Sequence, residues 1–252
     1  MRKYFLFSFF FSTFVACYSC DDGRIYEKEV ALPQEGLTLK LKGHLTGVDT
    51  WPEKYTLCVA GFTDESDYAV LSKVIASDHA ADGAVEVVLS GIREEVTKLE
   101  LCVTNRLRKR IVTFAQLEVA AQQPNADTLR LDVGSVDMGS VEAGSVDVGM
   151  YRALQEEIFN VSCIACHGAN GRAARDLYLT EGKSYRALVG QASRVHEQML
   201  LVAPGQASES LLPQVLSEEG LVQHNHTDLL DARRKSVLLT LINDWIDAGA
   251  KE

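Results

Sequence analysis

Positive charge is scarce in this chain. Lysine and arginine number 25 against 35 aspartates and glutamates, which leaves a formal net charge of −10. Non-specific nucleic-acid binding needs a basic face, so that class of partner is excluded. Cysteine is sparse as well. Six in 252 residues are too few for a small scaffold in which disulfides replace a core. Past the first twenty residues no apolar run is long enough to cross a bilayer. Hydrophobic residues make up 46% of the chain, too many for a disordered polymer. The length fits one or two domains, each able to bury a core.

The first twenty residues read as an address. Arg2 and Lys3 precede an apolar run from Phe5 to Val15, interrupted by Ser8, Ser12 and Thr13. That is the layout of a secretory signal, and it is too short to span a membrane comfortably. The run ends in FVACYSCDDG. A small residue before a cysteine at the end of such a run resembles the lipobox of bacterial lipoproteins. Ala16-Cys17 fits the pattern, and Ser19-Cys20 is the rival. The resemblance implies a lipid on Cys17, with Cys20 as the alternative, and membrane attachment through it. The acidic pair Asp21-Asp22 resembles the surface-export tether of Bacteroidetes-type lipoproteins. The expected location is the periplasm or the outer membrane, with display at the cell surface as a further option.

Residues 24–120 alternate with a period of two. Leu37, Leu39 and Leu41 alternate with Thr38, Lys40 and Lys42. Tyr55, Leu57 and Val59 alternate with Thr56, Cys58 and Ala60. Leu99, Leu101 and Val103 alternate with Glu100, Cys102 and Thr104. Further strands are expected at residues 68–76, 84–90 and 110–119, with turn signals between them. Six or seven short strands predict an all-β sandwich of immunoglobulin-like type. His44 and His79 stand alone and read as loop or surface residues. Cys58 and Cys102 lie on the polar phase of their strands. In an oxidising compartment they are candidates for a disulfide, the alternative being two semi-buried thiols.

Residues 121–149 contain the units GSVDM, GSVEA and GSVDV. Each five-residue unit has one valine and one acid, too little for a core, so the segment reads as a linker or an extended edge. From Tyr151 the period becomes helical. Tyr151, Leu154, Ile158 and Val161 share a face, and Val237, Leu238, Leu241, Ile242 and Trp245 form a second stripe ahead of Gly249. His196 reads as a surface residue.

The chemistry concentrates at Cys163-Ile-Ala-Cys166-His167. Two thiols separated by two residues and followed at once by histidine form the c-type haem attachment signature. On a helical turn the two sulfurs can bond the two vinyl groups of one haem, and the adjacent imidazole then meets the iron from the same side. A structural zinc site needs a second pair of thiols or imidazoles, and none follows at finger-like spacing. A thioredoxin-like pair needs a βαβ setting and no histidine.

Four stretches extend the pattern: FNVSCIACHGANG, LYLTEGKSYRALVG, VAPGQASESLLPQVL and LTLINDWIDAGAKE. With them, residues 150–252 resemble a mono-haem class I c-type cytochrome domain of the type found in Bacteroidetes and Planctomycetes. The resemblance implies an all-α cytochrome c fold and one covalently bound haem c, with Cys163 and Cys166 as attachment residues and His167 as proximal ligand. It also implies a sixth ligand from a loop just ahead of the last helix. His226 lies 59 residues past His167 and His224 lies 57 past it, and no methionine follows Met199. The carry-over is therefore His/His ligation through His226, with His224 as the alternative and then Met199, only 32 residues past the motif.

The expectation is a two-domain protein: a β-sandwich, a linker and an all-α cytochrome c domain. It would be an envelope-tethered electron carrier rather than an enzyme. Its partner would be a redox protein, and the acidic balance suggests a basic face on that partner. The alternatives are a haem-based ligand-binding or peroxidase-like protein, and a structural subunit of a surface complex in which the haem is ancillary.

Overall fold

A computed structural model describes residues 36–75, 83–119, 128–133, 145–168, 171 and 173–252. The expected secretory signal, both candidate lipidation cysteines (Cys17 and Cys20), His79 and most of the repeat lie outside the described residues.

The first sheet is built around β1 (Leu37–Thr46). Alternation works here as written in the sequence. Leu39, Leu41 and Leu45 are buried, while Lys40 and Lys42 face out and pair with Glu86 at 2.6 and 3.0 Å. The second sheet holds β2 (Tyr55–Phe62), β3 (Leu71–Val74), β5 (Lys98–Asn105) and β6 (Arg110–Glu118) in the order β3-β2-β5-β6. All of its pairings are antiparallel. In the first sheet β1 pairs antiparallel with β4 (Ala84–Ile92) but parallel with β7 (Thr128–Val133) and β8 (Ser145–Asp147). Thus β7 and β8, which fall inside the repeat-bearing segment, complete the first sheet.

Strands β2 and β5 depart from simple alternation. Nearly every residue in them is buried, because the second sheet is covered on both faces. One face joins the main core. Against the other lies residue Ala69, held by hydrogen bonds of Ala69 to the Arg108 carbonyl and of Val70 to that of Gly61. Cys58, Ala60, Phe62, Ala69 and Cys102 form a second small cluster there. Arg110 stacks on Phe62 at 4.9 Å and pairs with the fully buried Glu100 at 2.5 Å.

The helices are short. They are α1 (Met150–Leu154), which runs on as a π-helix over Gln155–Cys163, then α2 (Ser184–Leu188), α3 (Leu211–Ser217) and α4 (Lys235–Asp247). The connections between them are loops held by isolated bridges such as Val189 with Val202 and Leu200 with Ser210. The buried faces of α1 and α4 (Leu154, Leu241, Ile242 and Trp245) belong to the same hydrophobic cluster as Leu39, Leu57 and Leu101 of the sheets. Polar ties cross the junction. The Trp51 indole donates to the Val148 carbonyl at 2.7 Å, Tyr55 donates to Asp244 at 2.5 Å, and Arg234 donates to the Ile111 carbonyl at 2.9 Å.

The expected fold class is therefore corrected. Among the described residues there is no separate all-α cytochrome c domain beside an all-β immunoglobulin-like sandwich. Gln34–Glu252 is one compact unit, dominated by two sheets, one with mixed strand directions, and carrying short helices. The reason lies in burial. Helices of five to thirteen residues cannot enclose a core alone, so α1 and α4 bury their apolar stripes in the common core with the strands. Among the described residues no helix is long and apolar enough to cross a membrane.

Candidate haem-attachment site

The site begins at the end of the π-helix. The Ile164 amide bonds the Phe159 carbonyl, and the amides of Cys166 and His167 both return to the Cys163 carbonyl at 3.2 and 2.9 Å. This single turn gathers the two thiols and the imidazole on one wall. Beneath it lies a buried polar chain. Tyr151 donates to Ser184 at 2.5 Å, Ser184 donates to Gln155, and the Gln155 amide donates to the Leu179 carbonyl at 3.0 Å. Every member is paired, as a buried network requires. It ties the helix to the segment that follows the motif. Burial pushes the Tyr151 hydroxyl up to about 12, so the ring donates its proton rather than ionising. Tyr151 also packs on Trp245 of α4 and on Tyr185, each at 5.2 Å.

The chain then reverses. The Ala174 amide donates to the Cys166 carbonyl and the Leu179 amide to the His167 carbonyl, both at 2.8 Å. Gly168 makes the reversal at φ +151, where a Cβ would lie 2.4 Å from the Thr180 methyl. Only glycine fits so close an approach.

These elements frame a cavity of about 800 Å³, within the range of roughly 300–1,000 Å³ common for cofactor sites. Cys163, Cys166 and His167 line one side. Leu188, Leu201, Leu212 and Leu216 supply apolar surface, and the loop bearing His224 and His226 lies opposite. Cys163 is buried and Cys166 is exposed. Burial, with Cys166 nearby, pushes the Cys163 thiol up to about 12. The half-buried His167 donates Nδ1–H to the Leu177 carbonyl at 3.1 Å. That bond leaves Nε2 with its lone pair. Desolvation holds the imidazole below its ordinary value, and the neighbouring His226 adds to the effect.

Of the three candidate sixth ligands, the fold brings His226 opposite His167, with ring centroids 6.4 Å apart and planes 35° apart. Two imidazoles sharing one metal, at about 2.0–2.1 Å per metal–nitrogen bond, have centroids about 6 Å apart. His226 donates its own Nδ1–H to the His224 carbonyl at 2.7 Å, so both rings are held in the same tautomer. The exposed His224 lines the same cavity, and Met199 is not among its lining residues. The loop is pinned at Thr227, whose amide and hydroxyl both donate to Asn225 at 2.8 Å, and whose carbonyl accepts from Lys235 at 2.6 Å. His196 is half-buried and bonds the Leu221 carbonyl at 2.6 Å, which ties this loop to the neighbouring wall.

No family model, curated protein or solved structure matches this chain. Among the described residues no group of three or more His, Cys, Asp or Glu side chains converges as a metal-ion site. Two facing imidazoles suit instead a metal that arrives with its own equatorial ligands, and two adjacent thiols suit its covalent capture. The residues present fit a haem.

Two further elements were not visible as site residues in the sequence. Leu177 acts through its carbonyl, which carries no side-chain signature. Gly168 stands directly after the motif histidine, and that adjacency is the available signal. The other cysteines lie elsewhere. Cys58 and Cys102 face each other in register across β2 and β5 with sulfurs 3.9 Å apart, both as buried free thiols. His44 is exposed on β1.

Proposed function

We propose that this chain carries one covalently bound haem c and passes single electrons at the cell envelope. The observation that supports this best is the pairing of the Cys163-x-x-Cys166-His167 turn with His226 at 6.4 Å, each imidazole donating Nδ1–H to a backbone carbonyl. In this reading Cys163 and Cys166 hold the group by thioether bonds, His167 is the proximal ligand and His226 the distal one. When bound, the haem supplies one-electron cycling of iron between its ferric and ferrous states. The protein's part is to fix both axial ligands, to exclude water with the leucine-lined wall and to keep Cys166 at the surface edge. Histidine in place of methionine as sixth ligand sets a lower reduction potential. Attachment to the membrane through a lipid on Cys17, or on Cys20, completes the reading. With a net charge of −10, the chain steers toward a redox partner with a basic face.

The test is an optical spectrum of the matured protein in both oxidation states, with a pyridine haemochrome assay. The expected result is one haem per chain, low-spin, without the weak sulfur-to-iron band in the far red. Absence of covalent haem overturns the reading, and the sulfur band would restore Met199. Ready binding of carbon monoxide or peroxide by the wild-type protein would favour a ligand-binding or peroxidase-like role over a carrier.

A further inference from the structure

The wall beyond the motif carries a feature that the attachment chemistry does not use. Ala174–Asp176 forms a tight turn in which two consecutive non-glycine residues are left-handed, Arg175 at φ +53 and Asp176 at φ +56. Such conformations cost on the order of 1–3 kcal/mol each and persist where surrounding bonds enforce them. Here the turn is strapped to the haem motif at its start, through the Ala174–Cys166 hydrogen bond. At its end, Arg194 donates Nη1 to the Arg175 carbonyl at 2.9 Å and to Asp176 Oδ2 at 2.8 Å. The turn therefore brings two guanidiniums to one rim of the cavity, which both arginines line.

Their donors are largely uncommitted. A guanidinium has five N–H donors. Arg194 uses only Nη1, and Arg175 has no ion-pair partner among the described residues. Asp176 is the one acid at this rim among the lining residues, and it is already matched to Arg194. In a chain with ten more acids than bases, the rim is locally cationic, and it faces a cavity whose apolar lining is mostly leucine and valine. A cation pair at the edge of an apolar slot is suited to a flat apolar ligand with carboxylates on one edge.

We propose that Arg175 and Arg194 form a carboxylate clamp that takes the two propionate groups of the tetrapyrrole and so sets which edge of the ring faces the Ala174–Asp176 turn. The inference rests on the haem reading. It assigns Arg175 and Arg194 as positioning residues, and it gives the strained turn a purpose: to present one guanidinium while its carbonyl holds the other.

The test compares two probes on the full-length chain before maturation: iron mesoporphyrin IX and its dimethyl ester. Both have ethyl groups in place of vinyls, so neither can form thioethers, and they differ only in the carboxylates. Affinity is read from the Soret band. Charge-assisted hydrogen bonds predict that the wild type binds the diacid about 10- to 100-fold more tightly than the ester. In Arg175→Gln/Arg194→Gln that preference falls to about one; the readout is the ratio of the two affinities, because Arg194 also holds the Ala174–Asp176 turn and its loss can weaken both probes alike. Arg175→Gln alone, which breaks no described contact, loses part of the preference. Equal binding of both probes by the wild type overturns the clamp but leaves the haem site standing, as does a preference that survives in the double variant. Binding of neither probe overturns the haem reading and the clamp together.

Discussion

Gly168→Ala is the sharpest perturbation of the site that leaves every proposed ligand in place. The new Cβ would sit 2.4 Å from the Thr180 methyl, well inside contact distance, and the backbone at φ +151 disfavours any side chain. Neither partner can drift away. The Leu179 amide, next to Thr180, is bonded to the His167 carbonyl at 2.8 Å, so the two segments are stapled directly beside the clash. Overpacking costs about 1–3 kcal/mol and the unfavourable φ costs about 1–3 kcal/mol, so the variant should lose about 2–6 kcal/mol in all. That is a large share of a domain stability of roughly 5–15 kcal/mol. Thr180→Ser removes the clashing methyl and not the backbone strain. Adding it to Gly168→Ala should recover about 1–3 kcal/mol, a coupling that a double-mutant cycle measures directly. The assay is urea denaturation of the matured protein followed at the Soret band, with the spin state recorded before unfolding. A loss below about 0.5 kcal/mol for Gly168→Ala, or strict additivity of the two changes, would refute the claim that this glycine sets the spacing between the motif and residues 179–180.

Further outcomes follow from the same geometry. His226→Ala should give a high-spin haem that binds carbon monoxide, whereas His224→Ala should stay low-spin; the reverse pattern would transfer the sixth-ligand role to His224. Tyr151 is held protonated by burial, with its hydroxyl pushed from an ordinary 10.0 to about 12. Its contribution to stability is therefore complete below pH 10 and is lost as the pH rises toward 12, and Tyr151→Phe should flatten that fall in an alkaline denaturation series. Cys58 and Cys102 are at most 1% exposed, and the Cys102 thiol is raised well above the ordinary range by its bond with Cys58 and by burial. Both should resist a thiol reagent in the folded protein and react as two thiols on unfolding, and rapid labelling under native conditions would contradict their placement.

The strands were legible because their alternation has a local cause. Leu39 and Leu41 point inward and Lys40 and Lys42 outward along one pleat, and a single sheet face explains them. The same rule misled for Cys58, Glu100 and Cys102. They sit on the polar phase of β2 and β5, yet they are buried: Cys58 and Cys102 pack with Ala60, Phe62 and Ala69, and Glu100 pairs with Arg110 and accepts from the Thr113 hydroxyl. The helical stripes of α1 and α4 were also legible. Their partner was not, because periodicity marks which face is apolar and does not say what covers it. The stripes enter a core shared with the sheets, and so the separate all-α domain gives way to one mixed unit.

The C-x-x-C-H motif belongs to the sequence alone, since its turn is five adjacent residues and needs only helical geometry to converge. The basic start with its apolar run and the acidic balance are of the same kind, being properties of composition and order. Tertiary structure decided the rest. Placing His226 within 6.4 Å of His167 across 59 residues, holding both Nδ1 atoms on backbone carbonyls, and bringing Arg175 and Arg194 to one rim all depend on chain reversals. Their cost is offset by packing elsewhere in the molecule, and no local pattern encodes that balance.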